Sequence, residues 1–312
     1  MALNAAILGA GFIGRNFIRL ALQQGYNLRV LDHKACPAEF EGRLTWLNGE
    51  LSDEAVTARA LQGAEVVFHF ISSTVPGDIT DEGSELIQNV VQTLQLLKQC
   101  VQHKVRRIVF VSSSSVYGVQ KVLPIPEAAA TDPISSHGIH KLTIEKYLQL
   151  YKYQYGLDCK IMRLSNPYGP GQNLTGRQGF IAIAIGKILA GDAIMIRGDG
   201  STIRDFVYID DVCEALHLMA TSQSQESIFN VGSGQGHSLG HVVSTLGRLI
   251  GKEIKVAYTD SRFVDIPASV LDITREKNIL GKESKVDLET GLANTLAFHG
   301  MALAHSADAS CE

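Results

Sequence analysis

Three residues have the types and spacing to move a proton at an alcohol carbon: Ser113, at the end of an apolar run, and His137 and Lys141, four apart. On a helix a spacing of four puts both side chains on one face. Beside a nicotinamide, a hydroxyl to hold an oxygen, an imidazole to exchange its proton and an ammonium to tune that base are the parts of hydride transfer at a sugar carbon. Imidazole starts with a pKa near ~6.5 and a neighbouring ammonium pushes it lower, so His137 is expected to be neutral at pH 7 and a weak base. Taken alone, the serine run 112–115 reads as a polar strand-to-helix turn; its pairing with the His and Lys segment favours chemistry.

A second constellation lies at the start of the chain. Gly9, Gly11 and Gly14 form G-x-G-x-x-G after the apolar run 5–8, and Phe17, Ile18, Ala21 and Leu22 then keep a helical period that Gly25 ends. Gly9 permits the tight turn, Gly11 lets the main chain approach a pyrophosphate, and Gly14 brings helix against strand. The first N–H groups of that helix, from Phe12 and Ile13 onward, face the phosphates with its positive dipole end. A further strand, 28–31, stops at Asp32, where a carboxylate accepts from a ribose diol, which favours NAD over NADP. Arg15 and Lys34 are the contrary signal, since either could meet a 2′-phosphate.

Strands at 44–47, 66–71, 107–112 and 159–164 alternate with helices ending near Gly63 and spanning 85–103 and 142–155, which predicts a doubly wound, mostly parallel α/β Rossmann sheet. Asn89 and Thr93 fall on the second of these helices, near the cofactor. From Asn166 the Gly-, Pro- and Asn-rich NPYGPGQNLTGRQG leaves the sheet toward a second, smaller mixed α/β lobe. There the pattern predicts a helix over 180–190, strands over 193–196 and 204–208, a helix over 210–220 capped by its acids, and a helix over 238–250. The expected division is 1–165 for the dinucleotide, with 204–229 returning to it, and 166–203 with 230–312 for the substrate. The tail after Phe298 has little pattern and reads as frayed or as a truncation remnant.

Bulk properties exclude several classes. A net charge of −4 leaves no footprint for nucleic acid or an anionic membrane. No stretch approaches the roughly 20 apolar residues of a membrane span. The apolar N-terminus lacks a basic flank and reads as a strand, not a signal peptide. Five scattered cysteines without C-x-x-C suit a reducing cytoplasm and no zinc site. His237 and His241 are four apart but lack a third ligand, so a solvated helix face is the better reading and no metal is expected.

The chain resembles the extended short-chain dehydrogenase/reductases, and within them the nucleotide-sugar epimerases similar to UDP-glucose 4-epimerase. The resemblance rests on GAGFIG (9–14), VVFHFISS (66–73), VFVSSSSVYG (109–118), HGIHK (137–141), RLSNPYGPGQ (163–172), GDGSTIRDFVYIDDV (198–212) and FNVGSG (229–234). It implies that Ser113, His137 and Lys141 are catalytic, with Lys141 also on the cofactor. It places Ser114, Asn166, Arg204 and Arg262 on the substrate, the arginines by their planar fork on phosphate or nucleoside. The bland reading of Arg204 is a surface salt bridge with Asp205 or Asp210. It further implies tightly held NAD, a UDP-sugar substrate, a role in polysaccharide biosynthesis, and a homodimer in which helices 85–103 and 142–155 form a four-helix interface; packing against the sheet is the alternative for those helices.

Two departures stand out. The family's Tyr-x-x-x-Lys is here His137-x-x-x-Lys141, and its glycine fingerprint begins where this chain has Leu8. Histidine takes over the proton transfer, or another group such as Tyr117 does, or the protein binds without efficient turnover. Ser114 and Ser115 stand where sugar 4,6-dehydratases carry Asp-Glu and sugar-acid decarboxylases a Glu. What remains is redox at a hydroxyl: C4 epimerisation of a UDP-hexose or UDP-N-acetylhexosamine through a 4-keto intermediate, or NAD(P)H-dependent reduction of a keto sugar. A non-catalytic nucleotide-sugar-binding protein is the third reading.

Overall fold

The computed structural model describes residues 2–72, 81–260, 266–282 and 284–304. The first part runs β1 (Asn4–Leu8), α1 (Phe12–Gln23), β2 (Asn27–Asp32), β3 (Thr45–Asn48), α2 (Glu54–Leu61), β4 (Val66–His69), α3 (Glu82–Leu86), α4 (Gln92–Gln102), β5 (Arg107–Ser113), α5 (Ser136–Tyr155) and β6 (Asp158–Leu164). Then come β7 (Asn166–Tyr168), α6 (Phe180–Ala190), β8 (Ile194–Arg197), β9 (Ile203–Tyr208), α7 (Ile209–Thr221), β10 (Ile228–Val231), β11 (Gly236–Ser238), α8 (Leu239–Ile250), β12 (Val256–Thr259), β13 (Ala268–Ser269) and α9 (Leu288–Phe298).

The central sheet has the order β10-β6-β5-β4-β1-β2-β3, every pair parallel. Alternation along its strands feeds two apolar layers. Ile7, Phe68, Val109 and Val111 pack on one face with α1 and α7, whereas Leu8, Val67, Ile108 and Phe110 pack on the other with α2, α4 and α5. The strand order reverses between β1 and β4, which opens a crevice at the carboxyl ends of the strands. β9 lies outside this sheet, between β11 and β13 and paired also to β7, while β8 pairs with β12.

Several local expectations needed correction. The helix over 85–103 begins at Glu82 and carries a π-turn, Ile87–Val91, where Asn89 Nδ2 donates to the Glu85 carbonyl and Thr93 Oγ1 to that of Asn89. Such side-chain bonds compete with the regular ladder. The helix expected over 142–155 starts six residues earlier because Ser135 caps it, accepting from the Gly138 N–H. α7 is not capped by its acids: its N-cap is Tyr208, without a side-chain bond. Asp211 instead accepts from the N–H groups of Lys285 and Val286 and the Ser284 hydroxyl. α9 was not foreseen; Asp287 caps it. Beyond Phe298, Met301 N–H bonds the Leu296 carbonyl and Ala304 N–H that of Leu249, so this stretch is tied down as far as Ala304.

Candidate active site

The loop from β1 to α1 is shaped by what its glycines lack. A Cβ on Gly14 would stand 2.1 Å from the Gly9 carbonyl oxygen, so any side chain there forces helix from strand. Gly9 takes φ +98°, and a Cβ on it would lie 3.0 Å from Ile71 Cγ1. A Cβ on Gly11 would meet nothing within 4 Å beyond its own chain neighbours, and as the N-cap of α1 Gly11 offers no side chain to the helix's first N–H groups, those of Phe12 and Ile13 among them. Open space before an uncapped helix start fits a pyrophosphate. Asp32, 8% exposed, ends β2 beside this loop; its Oδ2 accepts from the Ala10 N–H at 2.7 Å and its Oδ1 from the Lys34 N–H at 2.8 Å. The His33 ring lies 3.5 Å from Oδ1, and since a carboxylate has about four acceptor positions, room is left for a diol. Arg15 turns back onto the loop, Nε donating to the Ala10 carbonyl at 3.1 Å.

At the end of β5, Ser113 Oγ accepts from the Ser115 N–H at 3.1 Å and lies 2.9 Å from the Ser115 hydroxyl, so it caps the 3₁₀ turn Ser114–Tyr117. Ser114 is half-buried in that turn. The first turn of α5 presses on it: a Cβ on Gly138 would stand 2.7 Å from the Ser115 carbonyl oxygen. This close approach seats His137, 6% exposed, next to the serine turn. One helical turn on, Lys141 is 7% exposed, donates from Nζ to the Val111 carbonyl at 2.8 Å and lies 4.7 Å over the Phe110 ring. Burial pulls its pKa down to about 8, against the opposing charge of Glu145.

Behind these residues lies a network that the sequence did not reveal. Glu145, one further turn along α5, accepts from the Ser112 hydroxyl at 2.5 Å and from Arg163 Nη2 at 2.7 Å, with both charged side chains almost wholly buried. The Arg163 guanidinium stacks 4.8 Å over the Tyr117 ring. Tyr117 is fully buried and donates its proton to Asn230 Oδ1 at 2.6 Å, so its hydroxyl is committed to the core next to β10, and burial raises its pKa. Ser112, Tyr117, Arg163 and Asn230 lie in stretches that carry the family resemblance, but nothing along the chain joins them, and the one signal for Glu145 is that it follows Lys141 by four residues.

Outside the central sheet, Asn166 Nδ2 donates to the Asp205 carbonyl at 2.9 Å, joining β7 to β9. Arg204 is half-buried on β9, Nη1 donating to the Ile203 carbonyl at 2.8 Å. Asp205 is wholly buried, its carboxylate held by Ser233, Gly234 and Leu271. Arg262 and most of the 72–80 loop lie outside the described residues. The His237 and His241 rings stack 5.4 Å apart, and the described residues hold no group of three or more His, Cys, Asp or Glu placed for a metal. No described helix is long and apolar enough to cross a membrane.

The model of the NAD dependent epimerase/dehydratase family matches residues 5–232. A UDP-glucose 4-epimerase of Mycolicibacterium smegmatis is 31% identical over 299 residues, covering 93% of this chain and 96% of that one. Among solved structures, the UDP-glucose 4-epimerase of Thermotoga maritima with UDP-glucose superposes with a TM-score of 0.89 at 31% identity, covering 96% of this chain and 99% of its own. A UDP-N-acetylglucosamine 4-epimerase from Methanobrevibacter ruminantium M1, in complex with UDP-N-acetylmuramic acid, does so with a TM-score of 0.89 at 27% identity, covering 96% and 98%.

Proposed function

The chain belongs to the NAD-dependent epimerase/dehydratase family, and from that premise we propose that it inverts C4 of a UDP-hexose or UDP-N-acetylhexosamine. The observation that supports this reading is the close approach of Gly138 to the serine turn at the carboxyl end of a dinucleotide-type sheet, with His137 buried beside it and Lys141 buried one helical turn on. Gly9, Gly11 and the start of α1 hold the pyrophosphate of NAD, and Asp32 its adenosine ribose. Bound NAD supplies a hydride acceptor that can return what it takes. His137 removes the sugar hydroxyl proton and gives it back, Ser113 holds that oxygen, and the Lys141 ammonium keeps the imidazole in its basic form and binds the nicotinamide ribose. Asn166, Arg204, Ser114 and Arg262 serve the substrate, the arginines on its diphosphate side. Residues 166–203 and 230–312 form the sugar-nucleotide lobe.

The serine turn lacks the carboxylates needed to eliminate water, which favours epimerisation over dehydration. Exposed Ile87, Val91, Ile139, Leu150 and Tyr153 on and beside α4 and α5 support a homodimer through these helices, and the unpaired cysteines support a cytoplasmic setting.

Incubation with UDP-galactose or UDP-N-acetylgalactosamine, without added cofactor, is expected to yield the C4 epimer by NMR. His137→Ala is expected to lower kcat by about 10²- to 10⁴-fold, the usual contribution of one proton-transfer group. The reading fails if no UDP-sugar is epimerised, and the assignment of His137 fails if the alanine variant keeps the wild-type rate.

A further inference from the structure

β4 ends on His69, a buried imidazole for which the reaction above has no use. The side chain is 2% exposed, and its ring centroid lies 5.5 Å from that of Phe110 on the neighbouring strand. Lys141 Nζ stands over the same Phe110 ring, so imidazole and ammonium share one aromatic platform on the α5 side of the sheet. The tautomer of His69 follows from its partner. Nε2 is 2.9 Å from Thr93 Oγ1, and that hydroxyl is 2.5 Å from the Asn89 carbonyl oxygen. A carbonyl only accepts, so the single proton of Thr93 goes to Asn89 and the hydroxyl must accept from the imidazole. His69 therefore carries its proton on Nε2. Its Nδ1 presents a lone pair to the interior and has no hydrogen-bond partner among the described residues. Burial first, and the Lys141 charge second, push its pKa down to about 3, so the ring stays neutral at physiological pH.

A buried acceptor without a donor is costly, and an ammonium has three protons to place. One of those of Lys141 goes to the Val111 carbonyl. We propose that His69 is a positioning residue for Lys141, its Nδ1 lone pair and the Val111 carbonyl being two neutral acceptors that hold the ammonium, His69 through one bridging water. The π-turn at Ile87–Val91 serves this arrangement, because it carries the Asn89 carbonyl that takes the Thr93 proton and so sets the tautomer. The proposal rests on the reading of Lys141 as the cation of the site.

Among the described residues, the titratable and charged groups around Lys141 are His137, His140 and Glu145 on its own helix, His69 on β4, and Arg163 on β6 through its pair with Glu145. Glu85 precedes the π-turn packed against α5. The Val111 carbonyl and His69 take two of the ammonium's protons, which leaves the third for the nicotinamide ribose. An acceptor stabilises the charged form, so removing it should lower the Lys141 pKa.

The test uses the full-length protein with NAD. The Lys141 pKa is read from its ε-methylene carbon by NMR, assigned by loss of the signal in Lys141→Arg, and compared with the alkaline limb of kcat. His69→Phe keeps a ring and removes the lone pair; it is expected to lower the Lys141 pKa by about one unit, the size of one hydrogen bond to a charge. The alkaline limb should follow, with KM unchanged, and His69→Asn, whose amide oxygen replaces Nδ1, should restore both. Thr93→Val releases Nε2 and lets the proton move to Nδ1, so it should shift Lys141 the same way without touching His69. Lys141 titrations in His69→Phe and Thr93→Val that superimpose on the wild type would overturn the proposal. A shifted titration in a protein that turns over no UDP-sugar would uphold the positioning role and reject the function instead.

Discussion

The glycine loop after β1 and the serine turn after β5 lie at the same end of the sheet, two strands apart, and are built in opposite ways. In the first the main chain does the work and side chains are excluded, as the 2.1 Å approach that a Cβ on Gly14 would make to the Gly9 carbonyl shows. In the second the side chains do the work, and buried charge stands behind them: Ser112 and Arg163 meet on Glu145. The loop therefore has nothing to exchange. The backbone at position 137 is placed beside the turn by the Ser135 cap and by Gly138 against Ser115.

The contrast can be broken most forcefully at Glu145. Glu145→Ala leaves the Arg163 guanidinium buried without its carboxylate and should cost about 3–5 kcal/mol of stability, read by denaturant titration. A loss below about 1 kcal/mol would mean that the turn does not depend on buried charge. Gly14→Ala should cost about 1–3 kcal/mol, the scale of overpacking, and weaken NAD binding by calorimetry.

Gly11→Ala separates steric from functional need. Nothing lies within 4 Å of a Cβ there, so stability should change by no more than about 0.5 kcal/mol while NAD affinity falls. Unchanged affinity would remove the pyrophosphate from this loop. The mildest effect is on pH. Lys141 is held at about 8 by burial, so its charge is present below that value and lost as pH rises through it; kcat should decline above pH 8. The same profile in Lys141→Arg, which stays charged, should lose that alkaline limb.

What was legible in the chain was local. G-x-G-x-x-G, the acid at the end of β2, and the spacing of His137 and Lys141 all act within a few residues, and the structure keeps both side chains on the buried face of α5. The misreadings were local signals overruled from a distance. The acids of α7 look like caps, yet Asp211 is claimed by the 284–286 segment more than seventy residues away. Tyr117 looked available for proton transfer, but Asn230 takes its hydroxyl proton. Glu145 lies in no motif, and although His69 and Arg163 fall in stretches that carry the resemblance, nothing there assigns them a role, since each gains its meaning only from a partner on another element.

By itself the sequence determined the alternating strands and helices, the phosphate-binding turn and the identity of the groups able to move a proton, because period and spacing act along the chain. Only the tertiary structure decided which hydroxyls stay available, which charges are desolvated and which imidazole nitrogen is bare. Those properties depend on what surrounds a side chain, and its surroundings come from strands and helices far apart in sequence.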